Sequence, residues 1–116
     1  MVEVVSTEYV QDALENDTAA VVLVYSESKY DQERIPGSIN VPQHAVGEEF
    51  PNRFDTDDEI ILYCGMETCF ASPRVAARLE SMGFENVKDY EGGLATWKDA
   101  GLPTAGERGT AGAPEP

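Results

Sequence analysis

The sequence predicts an α/β domain built on a mainly parallel sheet. Three observations point there. "AAVVLVY" (19–25) and "DDEIILY" (57–63) hold continuous apolar runs rich in β-branched residues, the pattern of strands buried on both faces. "EYVQDALEN" and "ASPRVAARLESMG" carry apolar residues at helical spacing. Strand and helix signals alternate along the chain, and that order suits crossover connections between parallel strands.

"VEVV" (2–5) is a short first strand. Ser6 or Thr7 caps the helix that follows, with Val10, Ala13 and Leu14 on one face. "SESKYDQER" reads as a loop with a short helical turn. In "IPGSINVP" (35–42), Pro36-Gly37 signals a turn, and Pro42 ends a brief extended piece. "AVGEEFPNRF" is weakly helical and interrupted at Pro51. The clearest helix has Ser72 as N-cap, Pro73 at its first position and Gly83 just past its end. Val75, Ala76, Leu79 and Met82 form its apolar stripe. "NVKDY" (86–90) is a last short strand, and "EGGLATWKDAGLP" a glycine turn, a short helix and a Gly/Pro stop. Residues 104–116 are small, polar and rich in Gly and Pro, so a disordered tail is expected after a domain at 1–103.

The length of 116 residues fits one domain with a real core. Acidic residues number 22 against 8 basic, for a net charge of −14, and the lysines are only Lys29, Lys88 and Lys98. Such a surface excludes nucleic acid, which requires Lys/Arg clusters, and excludes anionic membranes. High net charge keeps protein molecules apart. Sparse lysine with abundant Asp and Glu also suits a salt-rich cytoplasm, where the Debye length falls to about 3 Å near 1 M salt. No signal-peptide pattern opens the sequence and no apolar run nears the ~20 residues of a membrane span, so a cytoplasmic protein is expected. Two cysteines without a signal read as thiols.

Both thiols lie in "YCGMETCFASPR" (63–74). Ligands of open α/β sheets bind beyond the carboxyl ends of the strands. Cys64 leaves a strand at such an end, and a loop leads from it to a helix N-terminus that favours an anion. A thiol of pKa about 8.5 is only a few per cent thiolate at neutral pH. Lowering it by two units takes about 2.7 kcal/mol. A helix terminus supplies about 0.3–1 kcal/mol, or ~2 when partly buried, so loop amides must do the rest. Glu67 opposes this: at ~6 Å and an effective dielectric of ~20 it costs ~3 kcal/mol before screening. The plainer alternative makes Cys64 a small buried residue at a strand end.

At this point the sequence resembles the single-domain rhodanese-like sulfurtransferases. "RIPGSINVP" is similar to the family's GHIPGAINIP segment, and "IILYC" to the strand ending in its active cysteine. "SPRVAARLESMGFENVKDYEGGLATWKDAGLP" resembles its helix, strand, GG turn and terminal W-x-x-A-G-L-P. The resemblance spans about residues 3 to 103. It implies a three-layer α/β/α rhodanese-like domain around a five-stranded, mainly parallel sheet. It implies that Cys64 thiolate takes a sulfane sulfur from thiosulfate, polysulfide or a persulfide. A thiol, such as a thioredoxin-like reductant, or another nucleophile then accepts that sulfur. It also implies a cradle of loop amides from Gly65, Met66, Glu67, Thr68, Cys69, Phe70 and Ala71, with no cofactor.

The sequence departs from the family at several places. In the common C-x4-R loop the arginine position is Cys69, and the loop to Ser72 is about two residues longer. A Y-C-x-G-x-x-C-x-x-[ST] subset is more similar. The family's early D-x-R falls on Leu23 and Tyr25, and Glu33-Arg34 stands for Gly-His. A loop with Glu67 and no internal cation suits a less charged donor than thiosulfate. Cys69 is either a resolving thiol that releases sulfide from a Cys64 persulfide, or a loop residue without redox part. As the start of its own C-x4-R, "CFASPR", it would be the nucleophile only if it followed the strand directly, and the apolar run stops at Tyr63. Arg74 either orients an anionic donor or is a solvated helix residue. His44, the sole histidine, reads as a surface residue at a helix start. Two Cys and one His fall short of the about four ligands a metal requires. Gly92-Gly93 fits a close backbone approach or positive φ beside the loop, Trp97 and Phe84 fit the core, and Glu48-Glu49 and Asp57-Asp58 are solvated charge. Two other functions compete with sulfur transfer. One is a non-enzymatic rhodanese-like binding module. The other is a phosphatase or arsenate reductase with an H-C-x5-R loop, against which Tyr63 and Phe70 hold the histidine and arginine places.

Overall fold

The computed structural model describes residues 3–24, 27–42, 45–63, 71–90 and 92–106. Along the chain lie β1 (Glu3–Val4), α1 (Thr7–Asn16), β2 (Ala20–Leu23), α2 (Glu27–Gln32), β3 (Ile39–Asn40), α3 (Val46–Arg53), β4 (Glu59–Tyr63), α4 (Ala71–Ser81), β5 (Asn86–Tyr90) and α5 (Gly93–Asp99). The strands form one five-stranded sheet in the order β1-β5-β4-β2-β3, and every adjacent pair is parallel. This is the expected α/β architecture.

The apolar runs become strands because both sheet faces are covered. Val22, Ile60, Leu62 and Val87 pack with residues of α3 and α4, whereas Val21, Leu23, Ile61 and Tyr63 pack with α1 and α5. Alternate side chains along β4 thus enter opposite cores, which calls for the continuous apolar run Ile60-Ile61-Leu62. The chain moves one way along the sheet from β2 to β3 and the other way from β4 to β5. β2 and β4 are neighbours, so their connections diverge at the shared carboxyl end, where α/β proteins bind ligands.

Local signals explain most element ends. Ser6 is the N-cap of α1, its hydroxyl accepting from the Tyr9 N–H at 3.2 Å. Gly83, at φ +97°, stops α4: Phe84 N–H donates to the Leu79 carbonyl at 3.0 Å and Gly83 N–H to Glu80 at 3.1 Å. These are the paired bonds of a Schellman ending, and Phe84 and Leu79 share one core cluster.

Three expectations are corrected. Helix α4 begins at Ala71, so Ser72 lies inside its first turn rather than capping it, and Pro73 stands where helix N–H groups have no intrahelical partner anyway. Pro51 does not interrupt α3, which continues to Arg53. One backbone bond is lost there, but Val46 and Phe50 are fully buried and the Phe50 ring lies 5.4 Å from Phe54 and 6.2 Å from Phe84. Tertiary packing outweighs the local defect. The third concerns the start of the tail. Thr104 and Ala105 are buried, Ala105 bridges Arg34 in antiparallel fashion, and the Thr104 hydroxyl donates to Glu33 at 2.8 Å. Ordered structure therefore extends past residue 103, because these residues satisfy polar groups of Glu33 and Arg34; residues 107–116 lie outside the described ones.

Candidate active site

The expected site falls between the carboxyl end of β4 and the first turn of α4; β5 pairs with β4 beside it, and the Ile35–Ser38 turn is tied to the end of β4 through Tyr63. Tyr63 ends β4 in register with Leu23 of β2 and Tyr90 of β5, and its carbonyl accepts from Val24 N–H at 3.2 Å. Cys64 is the next residue in the sequence. Cys64, Gly65, Met66, Glu67, Thr68, Cys69 and Phe70 lie outside the described residues, as do Tyr25 and His44. Arg74 is exposed on the first turn of α4.

The frame is rich in hydroxyls. The Tyr63 phenol lies 2.7 Å from Ser38 Oγ and accepts from Ile35 N–H at 3.1 Å. Burial pushes its pKa up to about 12, against the opposing pull of the Ser38 and Ile35 bonds. Such a phenol stays protonated and acts as a hydrogen-bonding anchor rather than a base. Tyr90, at the end of β5, bonds Thr7 Oγ1 at 2.6 Å; burial raises its pKa, and the Thr7 bond works the other way. Tyr30 donates to the Ser38 carbonyl at 2.6 Å, and the Arg34 guanidinium lies 4.7 Å from the Tyr30 ring centre.

The glycine pair after β5 has the positive φ expected of it at one position and a close side-chain approach at the other; the loop it was expected to lie beside is outside the described residues. Gly93 adopts φ +60°, and a Cβ on Gly92 would stand 2.4 Å from Thr96 Oγ1. Leu23, where the family has the aspartate of D-x-R, is an apolar core residue at 2% exposure. Glu33, in place of the family glycine, pairs with Lys98 at 3.0 Å as well as with Thr104.

A family model now decides what this frame is: that of the rhodanese-like domain matches residues 6–100. The chain belongs to the rhodanese-like domain family. Solved structures agree on the fold. The rhodanese-like domain of an Anabaena protein is 26% identical with a TM-score of 0.81, covering 100% of this chain and 90% of its own. A Bacillus halodurans protein is 23% identical with a TM-score of 0.85, covering 94% and 80%. A human single-domain sulfurtransferase is 19% identical with a TM-score of 0.76, covering 85% and 97%. No curated protein matches the sequence. In this rhodanese-like domain, no helix among the described residues is long and apolar enough to cross a membrane.

Sequence reading locates strand β4, the GG turn and helix α4. It missed the hydroxyl anchors, since Tyr63 had been weighed only as the residue in a phosphatase's histidine place. The available signal was a tyrosine closing an apolar run together with a serine following Pro-Gly. It also passed over Asp89, a carboxylate at 5% exposure on β5 in register with Leu62. Its signal was an acidic residue inside a short strand, two residues after Val87 and directly before Tyr90. Asp57 and Asp58 are exposed, as expected, and Asp58 accepts the Asp55 N–H at 2.9 Å.

Proposed function

We propose that this rhodanese-like domain is a sulfurtransferase with Cys64 as its nucleophile. One observation supports this above the rest. Within a chain of this family, Cys64 directly follows β4 at the carboxyl end where the β2 and β4 connections diverge. Cys64 thiolate attacks the outer sulfur of a donor persulfide; the new S–S bond forms as the donor's S–S bond breaks, and the donor thiolate leaves with the electron pair. An acceptor thiolate then attacks the terminal sulfur, forms its own persulfide and returns Cys64 as thiolate. No net oxidation occurs, so no cofactor is required. Amides from Gly65 to Phe70 and of Ala71, the first residue of α4, cradle the anion, and Arg74, in the first turn of α4, orients a charged donor. Glu67 and the missing loop arginine favour a persulfide or polysulfide over thiosulfate. The acceptor is a thiol, such as a thioredoxin-like reductant, in a cytoplasm whose salt matches the −14 charge.

The test is intact mass after incubation with thiosulfate, polysulfide or a low-molecular-weight persulfide. Wild type should gain 32 Da units (one sulfur), about one per chain, and Cys64→Ser should gain none. An adduct that survives Cys64→Ser but disappears in Cys69→Ser would move the chemistry to Cys69. The absent D-x-R and loop arginine favour a second reading, a non-catalytic binding module. No adduct from any donor, with a Cys64 pKa near about 8.5, would select it.

A further inference from the structure

The hydroxyl of Tyr63 closes a small buried circuit whose direction can be worked out. Ile35 N–H donates to Tyr63 Oη at 3.1 Å, and Ser38 Oγ donates to the Ile35 carbonyl at 2.6 Å. Each hydroxyl has one proton. Ser38 has committed its own to Ile35, so across the 2.7 Å contact Tyr63 must be the donor and Ser38 the acceptor. The path leaves the N–H of Ile35, passes through Tyr63 and Ser38, and returns to the carbonyl of the same residue. Ile35 and Tyr63 are 0% exposed and Ser38 6%.

Both ends of this circuit are held. Ser38 N–H also donates to the Ile35 carbonyl at 3.0 Å across a turn in which Gly37 has φ +89°. Tyr30 fixes the Ser38 carbonyl from α2. From the other side, Arg34 and Ala105 exchange backbone bonds of 3.0 and 2.9 Å, while Thr104 and Lys98 hold Glu33. Among the described residues, Tyr30 and Arg34 are the charged or titratable neighbours acting on the Tyr63 phenol.

Packing alone does not call for this hydroxyl. A phenylalanine would fill the same ring volume, and the ladders to β2 and β5 already pair Tyr63 on both sides. A buried polar circuit adds a unique geometry instead. We propose that Tyr63 is a positioning residue: its hydroxyl clamps the end of β4, the strand that leads into Cys64, to the Ile35–Ser38 turn, and the thiolate fraction of Cys64 depends on that clamp. Cys64 directly follows Tyr63 in the sequence. This inference rests on Cys64 being the nucleophile.

The experiment is iodoacetamide alkylation as a function of pH, read on Cys64 by peptide mass, for wild type, Tyr63→Phe, Ser38→Ala and Ser38→Thr. Tyr63→Phe should raise the alkylation midpoint by about one unit toward the free-thiol value of about 8.5, a tenfold loss of thiolate below the midpoint. Ser38→Ala should raise it less, because the Ile35 N–H to Tyr63 bond survives. Ser38→Thr keeps the hydroxyl and should restore the wild-type midpoint. A midpoint unchanged in Tyr63→Phe, whatever its melting temperature, overturns the clamp. Should Tyr63→Phe not fold, an unchanged midpoint in Ser38→Ala does the same. Sulfur loading of wild type separates this from the functional reading. Midpoint shifts without any sulfur on Cys64 sink sulfur transfer and leave the clamp standing. Sulfur loading with unmoved midpoints does the reverse.

Discussion

On the α3/α4 side of the sheet, Val22, Ile60, Leu62 and Val87 meet Val46, Phe50, Val75, Ala76 and Leu79, and the cluster is wholly apolar. On the α1/α5 side, the largest members each end in a polar atom with a named partner. Tyr63 bonds Ile35 and Ser38, Tyr90 bonds Thr7, and Trp97 Nε1 donates to the Pro103 carbonyl at 2.8 Å. Apolar burial is proportional to area and has no direction, whereas a hydrogen bond fixes an orientation. The first face therefore supplies stability. The second also sets where the carboxyl ends of β4 and β5 stand, and those ends frame the site.

The strongest way to break this division is to damage the apolar face and look at the thiol. Leu79 is fully buried beneath the Schellman ending of α4. Leu79→Ala should cost about 2–5 kcal/mol by urea unfolding, the usual range for such a cavity. Cys64 in the folded protein should nevertheless keep its alkylation midpoint. A shift as large as that of Tyr63→Phe would mean that the two faces do not divide the work.

The next effect is read in alkali. Tyr63 has a folded pKa of about 12 against an ordinary 10.0, with burial as the main cause. A raised folded pKa gives stability that is fully present below about pH 10 and is lost as pH rises through 12. Between neutral pH and pH 11 the loss is on the order of 1 kcal/mol, one pKa unit's worth. Tyr63→Phe lacks this group, so its stability should fall less steeply. The gap between wild type and variant should narrow by that amount by pH 11. Tyr9, raised to about 12 chiefly by its bond to Glu59, is present in both proteins and cancels in the difference. Parallel stability curves from pH 9 to 11 would show that Tyr63 ionises equally in both states.

The contrast between the faces also explains what could be read from sequence. Continuous runs such as "EIILY" and the Leu79/Gly83 pattern report burial and helix ends, and they placed β4 and the end of α4 correctly. Hydrogen-bond partners far apart in sequence leave no periodic trace. Thr7 and Tyr90 are 83 residues apart, and Thr104 and Glu33 71 apart. The second of these is why ordered structure passes the expected boundary at residue 103. Ser72 and Pro51 misled for a related reason. Each is a strong local signal, overruled by a helix that starts earlier in one case and by the burial of Phe50 in the other.

The smallest expected effect tests whether every hydroxyl on the α1/α5 side positions the thiol, or only the one beside it. Thr7→Val keeps the shape at the first residue of α1 and removes the 2.6 Å bond to Tyr90. It should cost about 0.5–1.5 kcal/mol, as for one partly buried hydrogen bond. Because that bond lowers the Tyr90 pKa against the effect of burial, its loss should push the pKa further up, visible in an alkaline ultraviolet titration. Tyr90 ends β5, one strand from Tyr63, and the next described residues are the Gly92-Gly93 turn. The chain leaves β5 there for α5 and does not lead into the Cys64 loop. The alkylation midpoint of Cys64 should therefore stay at its wild-type value. A midpoint raised as far as in Tyr63→Phe would assign the positioning to the hydroxyl-bearing face as a whole.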